Sequence, residues 1–379
     1  MKYHVIWLAL LALFVGSARG RAEVLSPLIV KFPVPAHLAT PARGSLYTVP
    51  VVVIAFMPTD DGVNVNSDET GVTMSLSDLS DHINEMNTQI KFALEEGSRF
   101  HGYKDPAAKP SLGYKVVGCI AAYVPLPRDT VPVPWDKSHV RPDYKRILEI
   151  LGAKQWVEEQ GAKEIWLWGY HHGDIEPAES NMSSPVSGNI SNSEGRMDNL
   201  PTYSKTYVLY NYNYSRSACE AIHDHGHQLE AQMSYLAAKQ EGNSDLWDKF
   251  MGREAGQWVT GHCGWTHMPP NTTKDYDYKN PVPVQSDIED WKPDGSGKKE
   301  LISSRAWSSL VYPWPGADVP TQRTEANWYI YWRQNIPGLN NNTPLKDGHL
   351  TNWWRFVGDW DGAIKDQMGL YTPDPKSKP

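Results

Sequence analysis

Residues Val49 to Met57 read VPVVVIAFM, an unbroken apolar run dominated by β-branched side chains. A run with no polar alternation suits a strand covered on both faces, as in a parallel sheet, better than one with a wet face. Pro58-Thr59-Asp60-Asp61-Gly62 then closes it in a polar turn. Ser80 reads as the N-cap of a following helix, whose stripe of Ile83, Met86, Ile90 and Leu94 ends near Gly97. Tyr114 to Val124 returns to strand character. This strand, helix, strand order predicts an α/β fold, with a mixed sheet flanked by helices and long loops in one large domain.

The remaining elements are read in the same way. Glu23 to Thr48 is punctuated by prolines and predicts an extended arm. Pro142 suits the first residue of a helix running to Leu151, and Gly152 and Gly161 bracket a short second one. Ile165 to Tyr170 and Tyr207 to Tyr212 predict strands. Between them His171 to about Asn199 predicts a long loop after the carboxyl end of a strand, where open α/β sheets place their ligands. Asn327 to Gly338 predicts an aromatic amphipathic helix, and Trp353, Trp354 and Trp360 predict closure of the core. The domain spans 21–371, with a disordered tail over 372–379.

Export follows from the start of the chain. Lys2, an apolar run from Val5 to Val15 and the small residues Gly16, Ser17 and Ala18 make Met1 to Gly20 a signal peptide. That run is too short to cross about 30 Å of hydrocarbon, and no other segment reads as a membrane span. The predicted location is extracellular or periplasmic. Removing Lys2 and Arg19 takes the net charge from −8 to −10, which argues against nucleic acid and anionic membranes as partners. Cys119, Cys219 and Cys263 in an exported chain predict one disulfide, with Cys219 to Cys263 the favoured pairing and Cys263 as a metal ligand the alternative. Five Asn-x-Ser/Thr sequons stand at Asn181, Asn189, Asn213, Asn271 and Asn341.

The sharpest chemical signal is Ser215 to Gln240, which reads as one long helix. At about 100° per residue, Ile222, Leu229, Met233 and Leu236 form its buried stripe. His223 and His227 lie together beside that stripe, one turn apart, the spacing at which a helix presents two imidazoles to one Zn²⁺. A catalytic zinc takes three protein ligands and keeps one position open. Glu230 lies seven residues from His223, about 10.5 Å along the axis, so it suits support of His227 better than ligation. Downstream, Gly261 to Pro270 supplies His267 as the leading third ligand, with His262 and Glu254 behind it.

The segment His223-Asp224-His225-Gly226-His227 resembles the His-Glu-x-x-His helix of the zincin metallopeptidases, over five residues. That resemblance implies that His223 and His227 are metal ligands, and that Asp224 occupies the place of the glutamate acting as general base on water. It implies a zinc hydrolase, with peptide as the first substrate. More widely, IWLWGYH, ESNM, HDHGHQLE and HMPPN together resemble secreted proteins of uncharacterised activity.

Two other readings stand beside the hydrolase. Glu176 and Glu179, in the long loop, offer an acid/base pair, and Glu179 alone offers a further group near the metal. With 16 Trp, 19 Tyr and the acidic segment Asn271 to Trp291, they fit a carbohydrate-active or carbohydrate-binding protein with a glycan substrate. The third reading is a non-catalytic extracellular protein stabilised by a structural metal. Asp275 and Asp277 alternate as calcium ligands do, without the glycine and terminal glutamate of a calcium-binding loop.

Overall fold

Strand β2 (Tyr47–Phe56) takes up the apolar run, and from Val51 through Phe56 every side chain is buried. It is an inner strand of a seven-stranded sheet with β1 (Ile29–Phe32), β3 (Leu112–Ala122), β4 (Glu164–Gly169), β5 (Ser180–Ser183), β6 (Ile190–Ser191) and β7 (Tyr207–Asn213). The spatial order is β1-β3-β2-β4-β7-β5-β6. The inner four strands are parallel, and β1, β5 and β6 pair antiparallel at the two margins. This is the mixed α/β sheet that the unbroken apolar strands demand, because burial on both faces needs helices to cover them. The structure is a computed structural model and describes residues 28–192, 199–315 and 323–375.

Three long helices pack against one another and the sheet: α1 (Leu76–Gly97), α2 (Ala218–Tyr235) and α3 (Arg323–Arg333). The α1 stripe of Ile83, Met86, Ile90 and Leu94 is buried as its spacing requires. Its cap is Ser75 and not Ser80: the Ser75 hydroxyl accepts from the Asp78 amide at 3.0 Å and donates to the Asp78 carboxylate at 2.8 Å. That reciprocal Ser-x-x-Asp pairing satisfies the first turn, so the helix starts four residues before Ser80. In the β3 to β4 connection, Pro142 ends a short strand and Asp143 caps the helix Tyr144–Ile150.

The predicted long loop is partly ordered into sheet. Ser180–Ser183 pairs with β7, because the small polar side chains of this edge find partners, as in Ser180 Oγ donating to Gln228 Oε1 at 2.8 Å. The proline-rich arm includes β1 and a one-turn helix, Ala36–Ala39. At the other end residues 372–375 are ordered: Thr351 donates to Thr372 and the Asp374 amide to His349, so the disordered tail is not found there. The signal segment, residues 193–198 and residues 376–379 lie outside the described residues. Trp353, Trp354 and Trp360 are buried in the core, as are Trp328 and Trp332 of α3. No helix among the described residues is long and apolar enough to cross a membrane.

Candidate metal centre

Helix α2 leaves the carboxyl end of β7 and points its histidines in two directions. His225 faces the sheet, with Nε2 2.7 Å from the Tyr212 hydroxyl and its ring stacked on Tyr210 at 3.7 Å. Burial, with Arg333 adding to it, holds its pKa well below the imidazole range, so it is a neutral core side chain. His223 and His227 emerge on another flank, with their Nε2 atoms 3.0 Å apart. His267 completes the triangle: its Nε2 lies 2.7 Å from that of His223 and 2.9 Å from that of His227.

Three imidazole nitrogens so placed cannot all satisfy one another, since each neutral ring offers one N–H and one lone pair. Protonation of His223 or His267 is no remedy. Burial, reinforced by the other two rings, pushes His223 down to about 2, and burial with His227 pushes His267 to about 4. A cation shared by three lone pairs would satisfy all three, and the group could hold one. A tetrahedral Zn²⁺ at about 2.0–2.1 Å from each nitrogen separates them by about 3.4 Å, so the triangle needs to open by only ~0.5 Å.

Glu230 holds this geometry from behind. One carboxylate oxygen lies 2.8 Å from His227 Nδ1, and the other accepts from the Thr266 amide at 2.8 Å. The first contact keeps the proton of His227 on Nδ1 and turns its Nε2 lone pair inward. The second ties α2 to the loop of His267. For His227 itself burial acts to lower the pKa, and the Glu230 hydrogen bond and charge outweigh it, so the net shift is upward.

The loop is fixed from the other side by α3. Trp332 donates to the Gly264 carbonyl at 3.0 Å, and Trp328 donates to the Thr266 carbonyl at 3.1 Å. Gly264 adopts φ +79°, and a β-carbon there would meet the Met268 carbonyl at 2.5 Å. Gly226, inside α2, serves the same approach: a β-carbon would stand 2.4 Å from the Thr266 hydroxyl. Mid-helix glycine costs about 1 kcal/mol against alanine. Here it lets the His267 loop lie directly on the helix.

Asp224 is 4% exposed and lies behind the ring of His223, Oδ1 to Nδ1 3.5 Å. Burial raises its pKa well above the carboxylate range, and the charges of Glu179 and Glu220 add to the effect. The sequence places Asp224 at the metal-facing water, whereas the helix turns it toward the opposite edge of the imidazole. Glu179 approaches the same place from the β4 to β5 connection: its carboxylate, a His223 ring nitrogen and the Asp224 carboxylate lie within 4.8 Å of one another. Asn192 donates to Glu179 at 3.1 Å. Glu179 borders both a cavity of about 60 Å³ beside Asp224 and a cleft of about 520 Å³ that reaches His227 and Glu230. Glu176 and Trp265 line that cleft too.

The other expected residues lie elsewhere. His262 faces Glu254 at 3.7 Å, and neither belongs to a metal-competent group among the described residues. All three cysteines are free thiols, so the Cys219 to Cys263 disulfide is absent. The Cys219 thiol instead hydrogen-bonds the Glu325 carboxylate of α3, and Cys263 is wholly buried, its amide donating to the Phe250 carbonyl. Asp277 accepts from Asn280, and Asp275 stands 3.9 Å from His267 Nδ1. Asn181, Asn271 and Asn341 are buried, which withholds three of the five sequons from a glycan. Sequence reasoning missed Gly226, Thr266 and the two tryptophans of α3. Their contacts join segments some 40 to 70 residues apart and leave no local pattern. No family model, no curated protein sequence and no solved structure matches this chain.

Proposed function

We propose that this protein is a zinc-dependent hydrolase of amide bonds, with peptide the first substrate, exported by its Met1 to Gly20 segment. The observation that carries the reading is the convergence of three Nε2 atoms within 3.0 Å at the margin of a 520 Å³ cleft. A zinc ion held by His223, His227 and His267 would supply Lewis acidity to water and to the substrate carbonyl. Every other part of the chemistry falls to the chain itself.

Glu179 is the general base in this reading, because it borders the cleft whereas Asp224 sits behind His223. It takes one proton from water as oxygen attacks the carbonyl carbon, and passes that proton to the departing nitrogen when the C–N bond breaks. The products are a carboxylate and an ammonium group, which accounts for both protons of the water. Asp224 and Glu230 orient His223 and His227. Glu179→Gln should retain zinc at one equivalent and lose at least 100-fold in turnover of a peptide substrate. Full activity in that variant, with zinc in place, would remove Glu179 from the role.

A further inference from the structure

The cleft beside the histidines has a second feature that peptide hydrolysis does not require. Trp135 is 57% exposed, the only exposed tryptophan among the described residues, and it stands on the wall of this cleft. Its indole is not loose. Its N–H donates to Glu176 Oε1 at 2.9 Å, and the guanidinium of Arg141 lies 4.9 Å from the ring centroid. Arg141 is itself only 4% exposed, and it donates to the Glu176 and Pro177 carbonyls at 2.7 and 2.6 Å. One ring is thus held at its edge and from a buried cation while over half of its surface faces water.

Keeping a large aromatic surface wet forgoes the stabilisation of its burial, about 25 cal/mol for every Å². A fold that buries most of its other tryptophans gains nothing from this one unless something covers it. The neighbouring lining indicates what does. Glu176, Glu179, Ser191, Asn192 and Ser234 line the same cleft with carboxylate, amide and hydroxyl groups, beside the smaller apolar contribution of Pro177, Ala231 and Trp265. A flat aromatic plate bordered by hydrogen-bonding groups matches a pyranose, which has C–H faces and a rim of hydroxyls. Arg141 is engaged by carbonyls and by the indole, so the cleft does not present a free cation for an acidic peptide.

We infer that Trp135 is a pyranose-binding platform, so that the amide presented to the histidine centre is one carried on a carbohydrate. The inference rests on the hydrolase reading only for the reaction; the sugar contact stands by itself. Two sources share the chemistry, an oligomer of N-acetylated amino sugars and a glycosylated peptide.

The test is calorimetric titration of the full-length protein with three probes: the N-acetylglucosamine tetramer, a peptide carrying O-linked N-acetylgalactosamine, and the same peptide without sugar. At least one sugar-bearing probe should bind about tenfold or more tightly than the bare peptide. Trp135→Ala should abolish that preference while keeping its zinc content and melting temperature, and Trp135→Phe should retain part of it. The preferred probe identifies the source. Equal binding of all three probes, or a preference that survives Trp135→Ala, would overturn the inference. Absence of zinc in the wild type would overturn the reaction but not a sugar preference that depends on Trp135.

Discussion

The carboxylates behind the histidines decide how well the centre works. Glu230 touches both His227 and the backbone of the His267 loop. Glu230→Gln should weaken zinc binding about 10–100-fold, the usual cost of losing a carboxylate behind a ligand histidine. A competition titration against a chromogenic chelator measures this directly. Asp224→Asn should weaken binding by less, because its oxygen stands 3.5 Å from His223 and not at hydrogen-bonding distance. The pair His223 and His227 was legible from spacing alone, since i and i+4 share a helix face. Asp224 was not: its five-residue resemblance fixes its position in the chain but not the direction in which the helix rotates it.

Elements explain what single residues cannot. The loop of His267 is clamped between α2 and α3, and Gly226 is a point where the loop lies directly on α2. Gly226→Ala should cost about 1–3 kcal/mol from overpacking against Thr266, offset by about 1 kcal/mol from better helix propensity. Its zinc affinity should fall more than its stability suggests, because the methyl group displaces the third ligand. Comparing denaturant midpoints with zinc affinity checks that imbalance. The sheet carries a separate titration. Burial raises Glu164 of β4 to about 7, despite hydrogen bonds from Trp166 and Tyr114. The unfolded chain releases this proton near 4.5. Its contribution is therefore present at low pH and lost as pH rises toward 7, by about 3 kcal/mol in all. Glu164→Gln should be more stable than wild type at pH 8, and the two should converge toward pH 5. An urea denaturation series across that range tests the sign.

For the molecule as a whole, the α/β order was visible in the apolar strands, because strands buried on both faces carry their environment in their composition. The outer strands β5 and β6 were hidden, since Ser180–Ser183 and Ile190–Ser191 are short and owe their place in the sheet to partners distant in sequence or position, β5 to β7 and β6 to β5. The disulfide expectation failed for a related reason: a cysteine count carries no information on where two thiols face. The central claim is that three histidines from two segments of one fold, helix α2 and the loop of His267, converge on a single zinc ion. His267 tests it best, because it comes from a loop, 40 residues beyond His227, and not from the helix that carries His223 and His227. Elemental analysis of the purified protein beside His267→Ala, each after dialysis against the same zinc buffer, should find one equivalent of zinc in the wild type and less than about a tenth of one in the variant. Equal zinc in both proteins, or none in either, would contradict the account.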